Sequence, residues 1–265
     1  MIKYRSYFNG KVAIVTGGTD SLGRALTEQL LQCGAKVAVL DLNIDTLTPN
    51  KHLLPIAVDI TIEKALEQAL MQIIHYFNRV DVLINNASVT HMSCFKDLTA
   101  DLFQTIMAVN FTANVNITRL CLPHLIRAKG QIIAISSVAG FVPLYGRSAF
   151  SASKHAMEGF FHSLSAELAD DGVSVLVVCP SLVKSKPELT AQVNTGVSSS
   201  GAMNKNSFGK QQSTNEASIT ILTATAKRQA SLFLGRKSKI AHWLFSLFPK
   251  TYVKLMTKQS KEYFK

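Results

Sequence analysis

The sequence predicts an α/β fold, a single domain in which helices cover both faces of a doubly wound parallel sheet. Two observations predict it. Short apolar runs alternate with amphipathic stretches along most of the chain, and 265 residues, 47% of them hydrophobic, are enough to bury one large core. Strict alternation of strands and helices is typical of right-handed β-α-β units, whose strands are parallel and buried on both faces. We therefore expect one Rossmann-type domain over residues 1–265.

Six apolar segments rich in Val, Ile, Leu and Ala are predicted as strands. They are residues 11–16, 36–41, 53–59, 80–85, 130–136 and 173–179. Amphipathic segments such as 22–33 and 62–77 are predicted as helices, and a further helix is expected over 216–235. The N-terminal residues lead into the first strand without a cleavage site, and no apolar run reaches the roughly 20 residues of a transmembrane helix. A cytoplasmic protein is therefore predicted.

The charge and the cysteines exclude several classes of protein. Of the net charge of +11, the residues from Lys227 onward contribute ten Lys or Arg and one Glu. No recognition motif accompanies this charge, so nucleic-acid binding is not expected. The cysteines lie far apart without paired spacing, at Cys33, Cys94, Cys121 and Cys179. They predict neither a metal site nor a disulfide framework, but small buried side chains.

A glycine-rich turn, TGGTDSLGRA at residues 16–25, follows the first predicted strand and precedes a predicted helix. Glycines in this position permit a tight turn and the close approach of a pyrophosphate. Asp41 ends the second strand, where a carboxylate accepts hydrogen bonds from a ribose diol and repels a 2′-phosphate. Neither Asp20 nor Leu42 supplies a cation for such a phosphate. NAD is therefore predicted in preference to NADP, with an ordinary turn and a helix-capping aspartate as the alternative.

Six motifs follow one another along the chain: TGGTDSLG, VDI with Asp59, NNAS at 85–88, VN with Asn110, ISSVAG and SASK. In this order they resemble the short-chain dehydrogenase/reductase family over essentially the whole chain. The resemblance implies an oxidoreductase that transfers hydride between NAD(P)(H) and an alcohol or carbonyl substrate. It also implies cofactor contacts at Gly17, Thr19, Ser21, Leu22, Gly23, Asp41, Asp59, Ile60, Asn86, Ala87, Lys154, Pro180 and Val183.

The resemblance further implies roles for four residues of the catalytic site. Ser137 and a tyrosine would bind the substrate carbonyl, Lys154 the nicotinamide ribose, and Asn110 would kink its helix and hold a water against the lysine. The tyrosine position, four residues before Lys154, is occupied by Phe150. Hydride addition to a carbonyl develops alkoxide charge that must receive a proton from a positioned acid. Because a phenyl ring has no proton to donate, impaired turnover is expected.

Other positions also depart from the family pattern. Ser21, Ser88 and Ser181 stand where the family has glycine, and each adds a Cβ that can press against the dinucleotide. Tyr145, nine residues before Lys154, replaces the missing phenol only if its loop folds inward. Phe150 is either a substitution introduced into a working enzyme or the natural residue of a chain that has lost normal turnover. The coinciding departures favour the second interpretation, and with it the alternative function of a catalytically silent dinucleotide-binding or interaction protein.

Two segments lie outside the predicted sheet. Residues 185–215 are polar and aperiodic, which predicts a flexible loop, with a disordered surface insertion as the alternative. The resemblance implies that this loop covers the substrate, which is expected to be a hydrophobic alcohol or carbonyl compound. Residues 236–265 form a basic amphipathic extension that suits packing at the pocket or a subunit contact, or else an anionic membrane surface. Its apolar residues are Trp243, Leu244, Phe245, Leu247 and Phe248, flanked by Lys239, Lys250, Lys254, Lys258 and Lys261. The resemblance also implies a homo-oligomer formed through helices 102–128 and 150–168.

Overall fold

Seven parallel strands form one sheet in the computed structural model, which describes residues 4–19, 21–180 and 213–261. The strand order is β3-β2-β1-β4-β5-β6-β7. The strands are β1 (Val12–Thr16), β2 (Lys36–Asp41), β3 (Leu53–Ala57), β4 (Val82–Asn85), β5 (Gln131–Ile135), β6 (Ser174–Pro180) and β7 (Ser231–Leu234). The predicted doubly wound α/β fold is confirmed, and each of the six predicted strands overlaps a strand of the sheet.

Helices connect the strands and cover both faces of the sheet. They are α1 (Tyr4–Phe8), α2 (Ser21–Gln32), α3 (Glu63–Phe77), α4 (Ala100–Met107), α5 (Ala113–Ala128), α6 (Ser148–Glu167), α7 (Thr214–Ala226), α8 (Arg236–Leu247) and α9 (Pro249–Lys261). A π-helical turn, Ala108–Thr112, joins α4 to α5. Among the described residues, no helix combines the length and the apolar character needed to cross a membrane.

The strands are buried on both faces, as their continuous apolar sequences predict. In β1, Val12 and Ile14 belong to the core on the side of α3, α5 and α6, whereas Ala13 and Val15 belong to the core on the side of α1, α2 and α7. This alternation follows from the period of two of a β-strand. Two apolar layers thus sandwich the sheet and hold it rigid.

The order of winding reverses between β1 and β4, which are neighbours in the sheet. In an open α/β sheet, such a reversal leaves a crevice beyond the carboxyl ends of the strands, where ligands bind. The glycine-rich turn follows β1, the NNAS motif begins in β4, and Ser137 lies just after β5. The fold therefore brings three of the predicted motifs together at the carboxyl ends of the strands.

The predicted helix over 216–235 is wrong in its second half. Helix α7 ends at Ala226, Arg228 adopts a left-handed φ of 51°, and the chain then forms β7 beside β6. A four-residue apolar run such as SLFL does not distinguish strand from helix by periodicity, and its pairing with β6 decides the outcome.

The predicted loop over 185–215 also extends too far. Ser213 and Glu216 form a capping box that starts α7, while residues 185–212 lie outside the described residues.

Candidate active site

The glycine-rich turn packs closely against the segment that follows β4. Gly17 has a left-handed φ of 64°, and a Cβ there would lie 2.9 Å from Ala87 Cα. A Cβ on Gly23 would lie 1.9 Å from the Gly17 carbonyl oxygen. Asn86 Nδ2 donates hydrogen bonds to the carbonyl oxygens of Gly17 (2.8 Å) and Thr16 (3.0 Å). Glycine is therefore required at both positions, and the side chain of Asn86 holds the turn in place.

Thr16 is a residue of the candidate site that the sequence did not predict. Its buried hydroxyl accepts hydrogen bonds from the backbone N–H groups of Asn86 and Ala87, each at 3.0 Å. It thereby joins the end of β1 to the NNAS motif. A polar residue that ends an otherwise apolar strand, immediately before two glycines, is the signal that could have identified it.

The serines at glycine positions differ in their conformations. Ser21 has a φ of 46°, the left-handed region in which a Cβ costs roughly 1–2 kcal/mol. Ser88 is exposed and is not among the residues with positive φ, so its side chain is accommodated without such strain. Ser181 and the predicted cofactor residue Val183 lie outside the described residues.

The carboxylate of Asp41 is held at the carboxyl end of β2. Its Oδ2 accepts hydrogen bonds from the Thr19 N–H (3.1 Å) and hydroxyl (2.7 Å), and its Oδ1 accepts one from the Leu42 N–H (2.9 Å). The backbone carbonyl of Asp41 accepts from Val58 N (2.8 Å), which brings the VDI segment alongside. The side chain of Asp41 thus lies between the glycine-rich turn and this segment.

The VDI segment continues into a turn before α3. The exposed Asp59 accepts hydrogen bonds at Oδ1 from the Thr61 N–H (2.9 Å) and hydroxyl (2.6 Å), while Ile60 is buried. Asp59 therefore shapes the turn with one oxygen of its carboxylate. The predicted residues Asp41, Asp59 and Ile60 lie together near the carboxyl ends of β2 and β3.

Asn110 connects three separate parts of the site from within the π-helical turn. Its Oδ1 accepts a hydrogen bond from Val89 N (2.8 Å), and its Nδ2 donates to Val89 O (2.9 Å) and to Ser153 Oγ (3.0 Å). The side chain is fully buried. A π turn widens the helix by one residue and is frequent at functional sites. It positions Asn110 between the segment after β4 and helix α6.

Lys154 is a buried ammonium on α6. Its Nζ donates a hydrogen bond to Ile135 O (2.9 Å) and lies 3.6 Å from Met157 Sδ. Burial lowers the pKa of Lys154 to about 8, an effect that the Glu158 carboxylate opposes. Half-buried Ser137 lies two residues after Ile135, and its Oγ accepts from Ala139 N (3.2 Å). Lys154 and Ser137 thus both lie near the carboxyl end of β5.

The ring of Phe150 lies between two cations. Its centroid is 5.7 Å from Lys154 Nζ and 5.9 Å from Arg147 Cζ. Arg147 in turn donates a hydrogen bond to Thr90 Oγ1 (3.0 Å). Phe150 therefore lies beside Lys154, at the position predicted for the proton donor, and makes only weak cation–π contacts there.

Tyr145 has a different environment. Its backbone N–H lies 3.1 Å from Met256 Sδ in α9, and a hydrogen bond with Cys94, together with the charge of that group, raises the pKa of the Tyr145 hydroxyl. A raised pKa makes the phenol a weaker acid than usual. These contacts give no support to Tyr145 as the substitute for the missing acid.

The remaining predicted residues lie around the same edge. Leu22 is buried in the first turn of α2, and Pro180 ends β6 opposite Leu234 of β7. Within residues 4–19, 21–180 and 213–261, no group of three or more His, Cys, Asp or Glu side chains is placed to hold a metal ion. The chemistry available at this edge is that of a serine hydroxyl, a buried ammonium and a carboxylate.

Comparison with known sequences identifies one family. A model of the family described as short chain dehydrogenase matches residues 11–197. A dehydrogenase/reductase SDR family protein 7-like from Anopheles gambiae is 30% identical, covering 97% of this chain and 85% of that protein. Dehydrogenase/reductase SDR family member 7B from Xenopus laevis is 31% identical over 97% of this chain and 84% of its own length. The 15-hydroxyprostaglandin dehydrogenase (NAD(+)) of Rattus norvegicus is 35% identical over 67% of this chain and 70% of its own.

Solved structures show the same fold. A short chain dehydrogenase from Burkholderia cenocepacia, in complex with NADP, superposes with a TM-score of 0.78 and 24% identity, covering 94% of this chain and 98% of that one. A short-chain dehydrogenase from Streptomyces avermitilis has a TM-score of 0.75 and 23% identity, covering 95% and 97%. The agreement extends over almost the entire length of both chains.

Proposed function

The chain belongs to the short-chain dehydrogenase/reductase family, and we propose that it is an oxidoreductase that transfers hydride between NAD(P)(H) and an alcohol or carbonyl substrate. One observation carries the proposal: Asn110, Lys154 and Ser137 converge at the carboxyl ends of β4 and β5, beside the glycine-rich turn. This is the crevice at which an open α/β sheet binds a dinucleotide.

The residues of the crevice fit such a cofactor. The buried ammonium of Lys154 has three N–H groups, and its partners among the described residues are one carbonyl oxygen and one weakly accepting thioether. It therefore has a donor to offer to a ribose hydroxyl. The backbone of the glycine-rich turn would hold the pyrophosphate, and Asp41 the adenosine ribose. When bound, the nicotinamide supplies or accepts the hydride.

We propose NAD as the preferred cofactor. The relatives differ in the cofactor that their names state, NAD(+) for the rat enzyme and NADP for the Burkholderia complex. The proposal rests on Asp41, whose carboxylate is fixed where a 2′-phosphate would lie and repels it.

Replacing this carboxylate should relax the preference. We expect Asp41→Ser to tighten NADPH binding relative to NADH by at least about fivefold, since a like charge near the phosphate typically costs about 1 kcal/mol or more. The ratio of the two dissociation constants, measured by nicotinamide fluorescence, tests it. Asp45→Ser, at an exposed position beyond β2, is the matched control. An unchanged ratio of dissociation constants in Asp41→Ser would show that Asp41 does not determine the preference between the two cofactors.

Phe150 limits the chemistry that the site can perform. Ser137 can orient a substrate carbonyl, and Lys154 can hold the ribose, but the developing alkoxide has no phenol from which to take a proton. We therefore propose that the chain turns over slowly.

The experiment that tests the proposed function is titration of the protein and of Phe150→Tyr with NADH, followed by assays with a broad panel of carbonyl substrates. We expect both forms to bind NADH and the tyrosine form to be faster by on the order of 10²- to 10⁴-fold, the usual contribution of a general acid. Phe160→Tyr, a half-buried phenylalanine on the same helix, is the control. If neither form binds NADH, the oxidoreductase function is wrong.

A second function is favoured by Phe150 itself: a catalytically silent protein that binds a dinucleotide or a partner. The strained Ser21 in the glycine-rich turn is consistent with a weakened site. The same titration separates the two functions. Binding of NADH without turnover in either form, across the substrate panel, would support the silent protein.

We further propose a hydrophobic small-molecule substrate, a cytoplasmic location and a homo-oligomer built on α6. The outward face of α6 supports the oligomer because its exposed residues are small or polar: Ser148, Ala152, His155, Gly159 and Ser163. A Cβ added to Gly159 would meet no atom within 4 Å. Small side chains at these spacings allow a second helix to approach closely.

A further inference from the structure

The two C-terminal helices expose an unusual amount of apolar surface. Among the described residues, six of the twelve exposed large hydrophobic side chains fall within residues 240–255. They are Ile240, Trp243, Leu247, Phe248, Val253 and Leu255. The other six are scattered over the rest of the chain, as single exposed hydrophobics normally are. Residues 240–255 therefore form a distinct apolar surface that needs a physical explanation.

Helix α8 is docked on the protein through the opposite face. The ring of His242 lies 5.2 Å from that of Phe141 and 5.1 Å from that of Phe233, and the buried Ser238 hydroxyl donates to Leu234 O (2.8 Å). These contacts fix the rotation of the helix about its axis. The outward orientation of its other face is thus a consequence of packing.

That outward face of α8 is apolar. Ile240, Trp243 and Leu247 recur at spacings of three and four residues, so they form one stripe along the helix. Their exposed fractions are 62%, 63% and 63%. A surface helix of a soluble protein ordinarily turns its apolar stripe toward the core and its polar face outward. In α8 this stripe faces away from the protein.

Helix α9, which packs against α8, carries a row of lysines. Lys250, Lys254 and Lys258 recur every four residues on one face of the helix, and all three are exposed. The side chains of Phe245 and Tyr252 pack against each other, with ring centroids 5.5 Å apart, and join α9 to α8. The sequence from Lys227 to Lys261 contains no Asp or Glu. Residues 227–261, which carry the stripe, are therefore cationic, with no carboxylate among them.

We propose that α8 and α9 dock this protein on the surface of an anionic lipid bilayer. An apolar stripe with a tryptophan at its centre and lysines beside it matches the interface, where aromatic and aliphatic side chains enter the headgroup region and lysines face anionic lipids. A second copy of the chain fits less well. A two-fold contact would set this cationic surface against itself, and like charges brought together cost several kcal/mol.

The docking surface lies beside the candidate active site. Phe141, which contacts His242 of α8, and Tyr145, whose N–H contacts Met256 of α9, belong to the segment that connects Ser137 to α6. Docking would therefore hold this side of the site close to the bilayer. That consequence rests on the proposed function, whereas the docking itself does not.

The test uses Trp243, which is the single tryptophan of the chain. The full-length protein is mixed with vesicles of phosphatidylcholine, with and without phosphatidylglycerol, and binding is measured by co-sedimentation. We expect binding to the anionic vesicles only, a blue shift of Trp243 emission, quenching by brominated lipid, and weaker binding as salt screens the lysines. No nicotinamide cofactor is present, so the result is independent of the proposed oxidoreductase function.

Two variants keep Trp243 as the reporter. The first variant, Lys250→Gln/Lys254→Gln/Lys258→Gln, removes three charges and should lower the vesicle partition coefficient by on the order of 100-fold. The second variant, Ile240→Ser/Leu247→Ser, removes two apolar side chains and should lower the same coefficient by more than about tenfold. Each variant has a control at exposed positions outside α8 and α9. The control for the apolar variant is Met71→Ser, at a side chain that is 63% exposed on α3. The control for the charge variant is Lys51→Gln/Lys64→Gln/Lys96→Gln. Thermal unfolding confirms that each variant is folded.

Several outcomes would overturn the proposal. Absence of binding to anionic vesicles at low salt would do so, as would equal losses in the variants and their controls. The molar mass of the protein in solution, measured by light scattering, provides a further test. If the chain is an oligomer in solution and Ile240→Ser/Leu247→Ser dissociates it, the stripe is a contact between copies and not a membrane surface.

Discussion

At the residue scale, the candidate site combines a buried ammonium, a buried amide and a serine hydroxyl with a phenylalanine where the proposed function requires an acid. Lys154 is the group of the candidate site whose titration changes on folding, because burial lowers its pKa to about 8. Between about pH 8 and the ordinary lysine pKa, the folded chain binds fewer protons than the unfolded chain. This residue therefore destabilises the fold below pH 8, and the penalty disappears as the pH rises through that window.

Lys154→Met should stabilise the protein and weaken its cofactor binding. Removing the buried charge should raise the free energy of unfolding at pH 7 by up to about 3 kcal/mol, less the lost bond to Ile135 O. The gain should shrink from pH 8 upward. Urea unfolding at several pH values measures it, with the exposed Lys64→Met as control. A gain that is constant with pH would contradict the titration of Lys154, and unchanged NADH affinity would remove it from the site.

Ser21→Gly should also stabilise the protein. Glycine adopts the observed φ of 46° without a Cβ penalty, so we expect a gain of roughly 0.5–1 kcal/mol after the extra backbone entropy of glycine is subtracted. Ser21→Ala, which retains the Cβ, serves as the control. Equal gains in both variants, measured by urea unfolding, would show that the backbone conformation is not the cause.

At the scale of elements, the π-helical turn between α4 and α5 determines where Asn110 lies. The turn places its amide against the backbone of Val89 and the hydroxyl of Ser153, so that one side chain joins the π-helical turn, a loop and α6. Such a bridge holds the segment after β4 in position relative to α6. Under the proposed function, it would keep the loop and Lys154 in a constant geometry around the cofactor.

Asn110→Ala should weaken both the fold and the cofactor site. It leaves the N–H and C=O of Val89 without their partner, and each buried unsatisfied group costs about 1–3 kcal/mol. We expect the free energy of unfolding to fall by about 2–4 kcal/mol and the dissociation constant for NADH to rise. Thr112→Ala, in the same turn but exposed, should change stability by less than about 0.5 kcal/mol. Similar losses in the two variants would contradict the bridging role of Asn110.

At the scale of the whole molecule, different surfaces serve the proposed contacts. In these proposals, the crevice at the carboxyl ends of the strands would bind the dinucleotide, the outward face of α6 would form the subunit contact, and α8 with α9 would face the bilayer. The surfaces are chemically distinct, since α6 presents small and polar residues whereas α8 presents large apolar ones. Assembly and membrane docking can therefore be disrupted independently.

Gly159→Arg tests the subunit contact. A long charged side chain on the outward face of α6 would separate two closely packed helices, so we expect monomers by light scattering. The fold itself should be unaffected because a Cβ at this position meets no neighbour. Gln32→Arg, exposed on α2, is the control and should leave the assembly unchanged. A Gly159→Arg variant that keeps the size of the parent would place the contact elsewhere.

The sequence by itself determined the fold class, the positions of six strands and the presence of Phe150 four residues before Lys154. These features depend on patterns that lie along the chain itself, namely apolar periodicity, glycine spacing and the order of the motifs, and none of them requires a contact in space.

Only the tertiary structure decided the rest. It shows SLFL as an edge strand beside β6, the carboxylate of Asp41 held by Thr19, and Asn110 bonded to Val89 and Ser153, which are 21 and 43 residues away. It also shows which face of α8 packs against the protein and which face is exposed to solvent. These features depend on contacts between residues distant in sequence, and such contacts exist only once the sheet and its helices have packed.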